Sequence, residues 1–170
     1  MRIDGGPYVP TPVGVVDQML KLAQVRERDT VYDLGSGDGR LVTEAAQRYG
    51  ARGIGVEREA RLVELARANA KKAGVAGRVQ FIQDDLFNVS LAEASVVTLY
   101  LLPRLLVLLD PKLRKELKAG TRVVSHDYPL ERWPYERMLQ FDDEEKFFNM
   151  GFGATALYLY RIPVPDATGG

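Results

Sequence analysis

The segment VYDLGSGDGR (31–40) constrains the fold of this chain more than any other feature. An apolar stretch ends at Asp33, and glycines follow at alternating positions, Gly35, Gly37 and Gly39. Glycine adopts the left-handed backbone of a tight turn without steric cost, and it lets a ligand approach the backbone closely. A helical pattern begins directly after the turn, and the amide groups at a helix N-terminus attract polar ligands. The segment therefore predicts a strand, a turn and a helix that together bind a ligand.

Short apolar runs alternate with amphipathic runs over most of the chain, and Gly50 and Gly74 stand where helix C-terminal caps belong. Helices are predicted near 39–49, near 59–73 and in a segment that ends near Lys118. Strands that alternate with helices form a parallel sheet through right-handed crossovers, with helices on both faces. The sequence thus predicts an α/β fold. The predicted strands are TVYDL (30–34), RGIGVE (52–57), RVQFIQ (78–83), ASVVTLYLL (94–102) and TRVVSHD (121–127).

The two ends of the chain differ from this pattern. Thr11 and Pro12 are predicted as the N-cap and first turn of a helix. EKFFNMGFGATALYLYRI (145–162) contains two apolar runs around a glycine-rich turn, which predicts an antiparallel hairpin at one edge of the sheet. A chain of 170 residues, 46% of them hydrophobic, can bury one ordinary core, so we expect a single domain over residues 1–170. Its predicted parts are an N-terminal loop and helix (1–25), a ligand-binding core (26–128) and a C-terminal hairpin region (129–165).

The composition excludes several classes of protein. Lysine plus arginine and aspartate plus glutamate both number 23, so no overall positive field favours binding to nucleic acid. Cysteine is absent, which removes disulfides and thiolate metal sites, and no cluster of ligands predicts a metal. The chain has neither a transmembrane pattern nor a signal peptide, so we expect no membrane partner and a cytoplasmic location.

Acidic residues stand at the ends of the next predicted strands. Open parallel sheets bind ligands at the carboxyl ends of their strands. Glu57 ends the second strand, where a carboxylate can accept hydrogen bonds from both ribose hydroxyls. Asp84, Asp85 and Leu86 follow the third, where a carboxylate can accept from an exocyclic amine and a backbone amide can donate to a ring nitrogen. A glycine turn, an acidic residue placed to bind ribose and an acidic residue placed to bind adenine follow successive strands, and together they predict a nucleoside ligand.

The turn differs from a dinucleotide-binding motif at two positions. Such a motif would place a glycine at position 40, where this chain has Arg40. Asp38 would repel a pyrophosphate at the helix terminus. The site therefore favours the zwitterionic end of an amino acid over a phosphate, and NAD-linked redox chemistry is disfavoured.

On these motifs, residues 30–128 resemble a class I S-adenosylmethionine-dependent methyltransferase. The likeness implies a Rossmann-like, seven-stranded sheet that is mostly parallel, with an antiparallel C-terminal hairpin. It implies S-adenosylmethionine as the cofactor, with Asp33 and the glycine turn at its methionine end. The residues that it assigns to cofactor binding are Tyr8, Thr11, Asp33, Gly35, Ser36, Gly37, Glu57, Asp84, Asp85, Leu86 and Tyr100.

Further segments resemble a smaller family, the seven-strand protein lysine methyltransferases of archaea and mitochondria, which are unrelated to SET-domain enzymes. This likeness implies transfer of a methyl group to an amine nitrogen, with the lysine of a protein substrate as the favoured acceptor. PYVPT is its most specific part, and we expect it to lie over the cofactor. The chain after Tyr128 adds nothing to the resemblance. The segments are PYVPTP (7–12), DLFNV (85–89), VTLYLLP (97–103) and GTRVVSHDY (120–128).

Tyr100, at the end of the fourth predicted strand, is the candidate for contact with the acceptor. Enzymes that methylate amide-like nitrogens usually have Asn or Asp before two prolines there, and this chain lacks that clamp. A tyrosine ring and hydroxyl can flank and orient an alkyl amine, although a core aromatic residue is an equally good interpretation. Lysine must lose a proton first, which costs about 4 to 5 kcal/mol at pH 7. The candidates for a base or relay are Tyr100, His126 and Asp127, since the last two end the fifth strand on the same face, although a lone histidine is more often structural.

Alternative functions remain open at this point. A basic run favours an RNA methyltransferase, although such a run is more often the solvated face of a helix. A small-molecule methyltransferase is disfavoured because the short connections leave little chain for a lid. A non-catalytic nucleotide-binding module is also possible, and the oligomeric state stays open. The basic residues are Lys112, Arg114, Lys115, Lys118 and Arg122.

Overall fold

The structure, a computed structural model, describes residues 8–163. Its helices and strands follow one another in the order that the sequence predicts up to β5, and they alternate except where β4 follows β3 without a helix between them. Among the described residues, no helix has the length and apolar character needed to span a membrane. The helices are α1 (Val13–Leu22), α2 (Arg40–Tyr49), α3 (Ala60–Lys72), α4 (Pro103–Glu116) and α5 (Glu144–Met150). The strands are β1 (Thr30–Leu34), β2 (Arg52–Glu57), β3 (Val79–Gln83), β4 (Val96–Leu99), β5 (Arg122–His126), β6 (Arg137–Asp142) and β7 (Ala154–Arg161).

The strands form one seven-stranded sheet in the order β3-β2-β1-β4-β5-β7-β6. Strands β1 to β5 run parallel, and β7 pairs antiparallel with both β5 and β6. Leu34 of β1 lies level with Val56 of β2 and Leu99 of β4, so these strands end at one edge of the sheet. The chain order reverses between β1 and β4, and such a switch point opens a crevice outside the strand ends.

Apolar side chains cover both faces of the sheet. On one face, Val31 and Val96 pack with α1, α2 and α3. On the other face, Val97 packs with Leu106 and Leu109 of α4. Full burial of a leucine side chain contributes about 1.5 to 3 kcal/mol, so these layers hold the strand ends in place.

The sequence-based prediction was wrong in two details, one in the N-terminal segment and one in the C-terminal segment of the chain. The helix α1 begins at Val13 after Pro12, which is its N-cap and has an extended backbone, and the Thr11 side chain makes no cap. The run EKFFNM is the helix α5 and not a strand, because Asp143 accepts a hydrogen bond from Lys146 N and Gly151 ends the helix in a left-handed conformation. The partner of β7 in the hairpin is instead β6, an earlier segment.

Candidate active site

A cleft of about 290 Å³ opens at the carboxyl ends of β1 to β4. It lies at the switch point, as expected for a ligand site in an open parallel sheet. Every residue that the sequence predicts for cofactor binding lines this cleft. They are Tyr8, Thr11, Asp33, Gly35, Ser36, Gly37, Glu57, Asp84, Asp85, Leu86 and Tyr100.

The glycine turn brings the backbone against the cleft. Gly35 and Gly37 have φ of 86° and 55°, a left-handed conformation that side chains disfavour. A Cβ atom on Gly37 would lie 2.4 Å from Cε2 of Tyr8, so the tyrosine ring lies directly over the turn. Gly35 N and Ser36 N both donate to Val56 O at 2.9 Å, which anchors the turn on β2. These residues form a cradle that fits the methionine end of S-adenosylmethionine.

Gly39 and Arg40 explain why the chain departs from a dinucleotide-binding motif. A Cβ atom on Gly39 would lie 2.6 Å from Phe81 Cζ, so this glycine already provides the close packing of helix on strand. Arg40 is therefore free to pair with Asp38 through Nη2 and Oδ2 at 2.7 Å, and its Nη1 donates to Thr11 O at 2.9 Å. Although burial opposes the effect, the hydrogen bonds from Arg40 lower the pKa of Asp38. Together Arg40 and Asp38 tie the chain at Thr11 to the glycine turn.

Glu57 lies at the end of β2 and supports the turn from the opposite side. Its Oε1 accepts a hydrogen bond from Gly37 N at 3.1 Å, and its Oε2 accepts one from Glu59 N at 3.0 Å. The backbone thus orients this carboxylate at the rim of the cleft. Each carboxylate oxygen has further lone pairs, so the group can also accept from the hydroxyls of a ribose.

Two acidic residues after β3 shape the next part of the cleft. Asp84 Oδ1 accepts from Asn88 Nδ2 at 3.0 Å, and Asp85 Oδ1 accepts from Phe87 N at 3.0 Å. Leu86 and Phe87 also line the cleft and are half-buried. An oriented carboxylate beside apolar side chains suits a planar ring that carries an exocyclic amine, as adenine does.

Asp33 lies at the end of β1, beneath the methionine end of the cradle. Thr98 Oγ1 donates to its Oδ1 at 2.9 Å. Burial raises the pKa of Asp33 to about 7, and the nearby carboxylates of Glu57 and Asp38 also raise it, against the Thr98 hydrogen bond. A cationic amine close to Asp33 would stabilise its ionised form, which makes this residue a partner for the ammonium group of an amino acid.

Aromatic side chains form the far end of the cleft. Tyr100 lines it together with Tyr128 and Met150. The Tyr100 ring stacks on the buried His126 ring, with centroids 3.8 Å apart and an interplanar angle of 26°. Burial, then the charge of Asp127 and the neighbouring Tyr128, raises the pKa of Tyr100 to about 12. Its hydroxyl therefore keeps its proton at neutral pH, so Tyr100 can orient an amine but cannot serve as the resting base.

The structure brings His126 and Asp127 close to Tyr100 but places them behind it. Neither residue is among those that line the cleft. Burial lowers the pKa of His126 to about 4. The Asp127 carboxylate accepts hydrogen bonds from Ala156 N at 3.1 Å and from the buried ammonium of Lys146. His126 thus contacts Tyr100, and Asp127 contacts His126. A part for either residue in catalysis stays a prediction.

Sequence reasoning missed several residues at this site. Tyr128 lies two residues beyond β5, where the strand-end rule would have found it. Met150 and Lys146 belong to α5, whose sequence was interpreted as a strand. The pattern Asp143-x-x-Lys146 would have indicated a helix start, because aspartate is a common N-cap.

This sheet, with its glycine turn and the acids at the next two strand ends, defines a class I S-adenosylmethionine-dependent methyltransferase. Residues 33–137 match the family model described as the ANTKMT methyltransferase domain, and the chain belongs to this family. It is 44% identical over 157 residues to a protein-lysine N-methyltransferase of Saccharolobus islandicus, covering 92% of this chain and 93% of that one.

Two further proteins are similar over different lengths. The chain is 43% identical over 128 residues to the adenine nucleotide translocase lysine N-methyltransferase of Mus musculus. That match covers 75% of this chain but only 55% of the mouse protein. A crystal structure of an RNA methyltransferase from Salinibacter ruber in complex with S-adenosyl-L-homocysteine is 50% identical, with a TM-score of 0.82, and the match covers 91% of this chain and 94% of that one.

Proposed function

We propose that this enzyme methylates the side-chain amine of a lysine in a protein substrate. The observation that carries the proposal is the aromatic end of the cleft, where Tyr100, backed by His126, lies beside Tyr128. Tyrosine rings can flank the alkyl chain of a lysine, and a protonated tyrosine hydroxyl can donate to or accept from its amine. The relatives from Saccharolobus islandicus and Mus musculus are both named as lysine N-methyltransferases, which supports the same acceptor.

The chain's residues can perform the reaction mainly by alignment. When bound, S-adenosylmethionine supplies an electrophilic methyl group. Asp33, Glu57 and the glycine turn would hold the cofactor, and Tyr8, which covers the turn, would exclude water. Correct alignment of two reactants can lower the activation barrier by about 7 to 11 kcal/mol. In this proposal Tyr100 is the catalytic residue that orients the amine.

Proton loss from the lysine does not need a base in the cleft. Neutralising an ordinary lysine at pH 7 costs about 4 to 5 kcal/mol, and burial beside aromatic rings and a positive sulfonium offsets part of this cost. We propose that the proton leaves to water as the amine enters the cleft, where burial and the sulfonium lower its pKa. His126 and Asp127 then act as positioning residues behind Tyr100.

An RNA acceptor is the second candidate, because the similar protein from Salinibacter ruber is named as an RNA methyltransferase. The basic run gives it weak support. Lys112 pairs with Glu116 at 2.7 Å, Arg114 with Asp110 at 2.5 Å, and Arg122 with Asp29. These intramolecular ion pairs reduce the positive field available to a phosphate backbone. We therefore favour a protein acceptor and propose that nucleic acid is not the substrate.

One experiment distinguishes the acceptors. The enzyme is incubated with cell extract and S-adenosylmethionine labelled in its methyl group, with and without ribonuclease, and labelled protein is hydrolysed to amino acids. We expect label in methyl-lysine, unaffected by ribonuclease and absent with a Gly37→Val control. Label that is released by ribonuclease would replace the proposal with an RNA acceptor, and label in another amino acid would move it to another protein group.

Two wider expectations belong to the same proposal. We propose that residues 1–170 act as one methyltransferase domain, which is supported by the single sheet that all described strands join. A cytoplasmic location stays a prediction, and fractionation of cells that produce the protein would test it.

A further inference from the structure

Lys146, on α5, is a buried cation that the reaction described above does not use. It is 1% exposed, although a lysine inside a protein is costly unless its charge is paired. Its Nζ donates to Asp127 Oδ2 and, at 3.2 Å, to Thr155 Oγ1. The ring centroid of Phe152 is 5.8 Å away, within the range of a cation–π contact. A carboxylate, a hydroxyl and an aromatic ring thus surround this ammonium.

The same ammonium faces the only histidine of the chain. Lys146 Nζ lies 3.4 Å from His126 Nε2. Asp127 Oδ2 lies 3.5 Å from the same nitrogen. An ammonium group has three donor hydrogens and no acceptor, so a hydrogen bond from Lys146 needs an unprotonated Nε2, whereas Asp127 would accept from a protonated one. In the pairing with Lys146, which is the shorter of the two contacts, the neutral imidazole carries its proton on Nδ1.

Several charged or polar groups face His126 from the elements packed around it. Asp127 follows it on β5, Asp143 and Lys146 come from α5 and its N-cap, and Tyr100 stacks on it from the end of β4. Burial is the main cause that lowers the pKa of His126 to about 4; the Lys146 charge also lowers it, and Asp127 and Asp143 act in the opposite direction. The imidazole is therefore neutral over the neutral pH range.

Asp127 links this cluster to the backbone. It has φ of 64°, a left-handed conformation that costs free energy for a residue other than glycine. Its two carboxylate oxygens bind Ala156 N and Lys146 Nζ, which hold it in this conformation. The chain turns here from β5 toward Tyr128, which lines the cleft. Removal of the Lys146 charge would thus affect both tyrosines that form the acceptor end.

We propose that Lys146 is a positioning residue of the acceptor site, which keeps His126 in its neutral Nδ1-protonated form and holds Asp127, so that Tyr100 and Tyr128 stay aligned. The proposal rests on the proposed role of Tyr100 in orienting the acceptor. It assigns a function to α5, a helix that follows the residues matched by the family model, 33–137. The acceptor site and α5 are then one structural unit.

Because the chain has one histidine, nitrogen NMR of the imidazole tests the proposal directly. In the parent protein we expect a neutral ring protonated on Nδ1 down to about pH 5. In Lys146→Met the histidine should titrate at clearly higher pH, because the cation is lost and Asp127 is left unpaired. A parent ring protonated on Nε2, or a titration that Lys146→Met leaves unchanged, would overturn the proposal. This measurement needs no acceptor, so it stands even if the proposed lysine substrate is wrong.

Kinetics supply the second readout. At saturating cofactor, Lys146→Met should lower the single-turnover rate on the order of tenfold by misalignment, with cofactor affinity unchanged. Its rate should rise with pH more steeply than the parent rate as His126 loses its proton, because both enzymes share the pH dependence of the acceptor lysine. The double variant Lys146→Met/Asp127→Asn removes both charges, so it should fold and regain a low histidine pKa. Lys71→Met, on the exposed side of α3, is the matched control.

A purely structural role predicts a different pattern. The melting temperature would then fall while the rate of the folded enzyme and its pH profile stayed at parent values, and the proposal would be rejected. If the single variant does not fold, the double variant decides. A double variant with the parent tautomer and parent rate would show that the Lys146 charge is not needed for alignment.

Discussion

The two ends of the cleft are built in different ways. At the cofactor end, a continuous stretch from Asp33 to Glu57 supplies a glycine turn, backbone amides and one carboxylate that orients the turn. At the acceptor end, Tyr100, His126 and Lys146 come from three separate segments and meet through side chains alone. A backbone cradle binds one invariant cofactor, whereas a side-chain assembly can be changed one residue at a time. Binding and turnover should therefore respond to substitutions at different ends.

The largest expected effect lies at the cofactor end. Gly37→Val places a branched side chain where the backbone has φ of 55° and where Tyr8 covers the turn. Strained backbone alone costs about 1 to 3 kcal/mol, and the side chain also occupies the ligand's space, so cofactor affinity should fall by at least about a hundredfold.

A matched control separates strain from contact in that experiment. Gly74→Val has the same kind of strain, with φ of 76°, but a Cβ atom there would meet nothing within 4 Å. It should cost stability and leave cofactor affinity at the parent value by calorimetry. A folded Gly37→Val protein that binds normally would remove the glycine turn from the cofactor site and erase the difference between the two ends.

The acceptor end should show the opposite behaviour. Tyr100→Ala should lower affinity for S-adenosylmethionine only slightly, because the ends of β1, β2 and β3 would make most of the contacts to the cofactor, and Tyr100 would add only a contact at the rim of its site. Its single-turnover rate on a methylatable lysine protein should fall about a hundredfold, since a reacting nitrogen loses its alignment. Tyr100→Phe tests the hydroxyl. An enzyme that needs only the aromatic wall stacked on His126 keeps most of its rate, and one that needs the hydroxyl falls nearly as far as the alanine variant.

Tyr135→Ala, at an exposed tyrosine outside the residues that line the cleft, is the control for loss of an aromatic ring. Thermal melting of each variant checks that it is folded. Should Tyr100→Ala and Tyr100→Phe both turn over at the parent rate, Tyr100 is core packing, and the aromatic end of the cleft has no part in alignment.

The same contrast explains what the sequence could predict. The cofactor end follows from local rules, because a strand followed by Gly-x-Gly-x-Gly and an acid at the next strand end have few structural alternatives. The seven-stranded sheet with an antiparallel hairpin was predicted from a resemblance and is confirmed. The role of Arg40 was not foreseen, because its partner Thr11 O lies 29 residues away in sequence.

The acceptor end depends on contacts that no local pattern encodes. Lys146 and His126 are 20 residues apart and meet only because α5 folds back over the end of β5. The short run EKFFNM fits a strand and a helix equally well by its apolar residues, and the Asp143 cap decides in favour of the helix. A charged residue at a buried position is also unexpected from sequence, since lysine is rarely buried unless it is paired.

Glu57 gives a smaller expected effect at the cofactor end. Glu57→Ala removes the acceptor proposed for the ribose hydroxyls and also the hydrogen bonds from Gly37 N and Glu59 N. One charge-assisted hydrogen bond contributes about 1.5 to 3 kcal/mol, so affinity should fall about tenfold to a hundredfold. Glu57→Gln keeps one acceptor oxygen, so its cofactor affinity should fall less. The control Glu64→Ala, on the exposed side of α3, should bind the cofactor with the parent affinity. Calorimetry that finds Glu57→Ala unchanged would place the ribose acid at another residue.

The smallest expected effect is a pH dependence that arises from Asp33. Its pKa is raised to about 7, so below that pH the free enzyme holds a proton there, and binding a cationic amino-acid end must release it. Cofactor affinity should therefore fall by up to about tenfold per unit as pH drops below 7. The free energy of unfolding depends on pH in the opposite direction. Because the pKa of Asp33 is higher in the folded protein than in the unfolded chain, its contribution to stability is present below the pKa of the unfolded chain and is lost as pH rises through about 7. The free protein should therefore be more stable at pH 6 than at pH 8. Asp33→Asn should flatten both profiles, whereas an affinity that still falls toward acid pH in Asp33→Asn would assign the proton to another group.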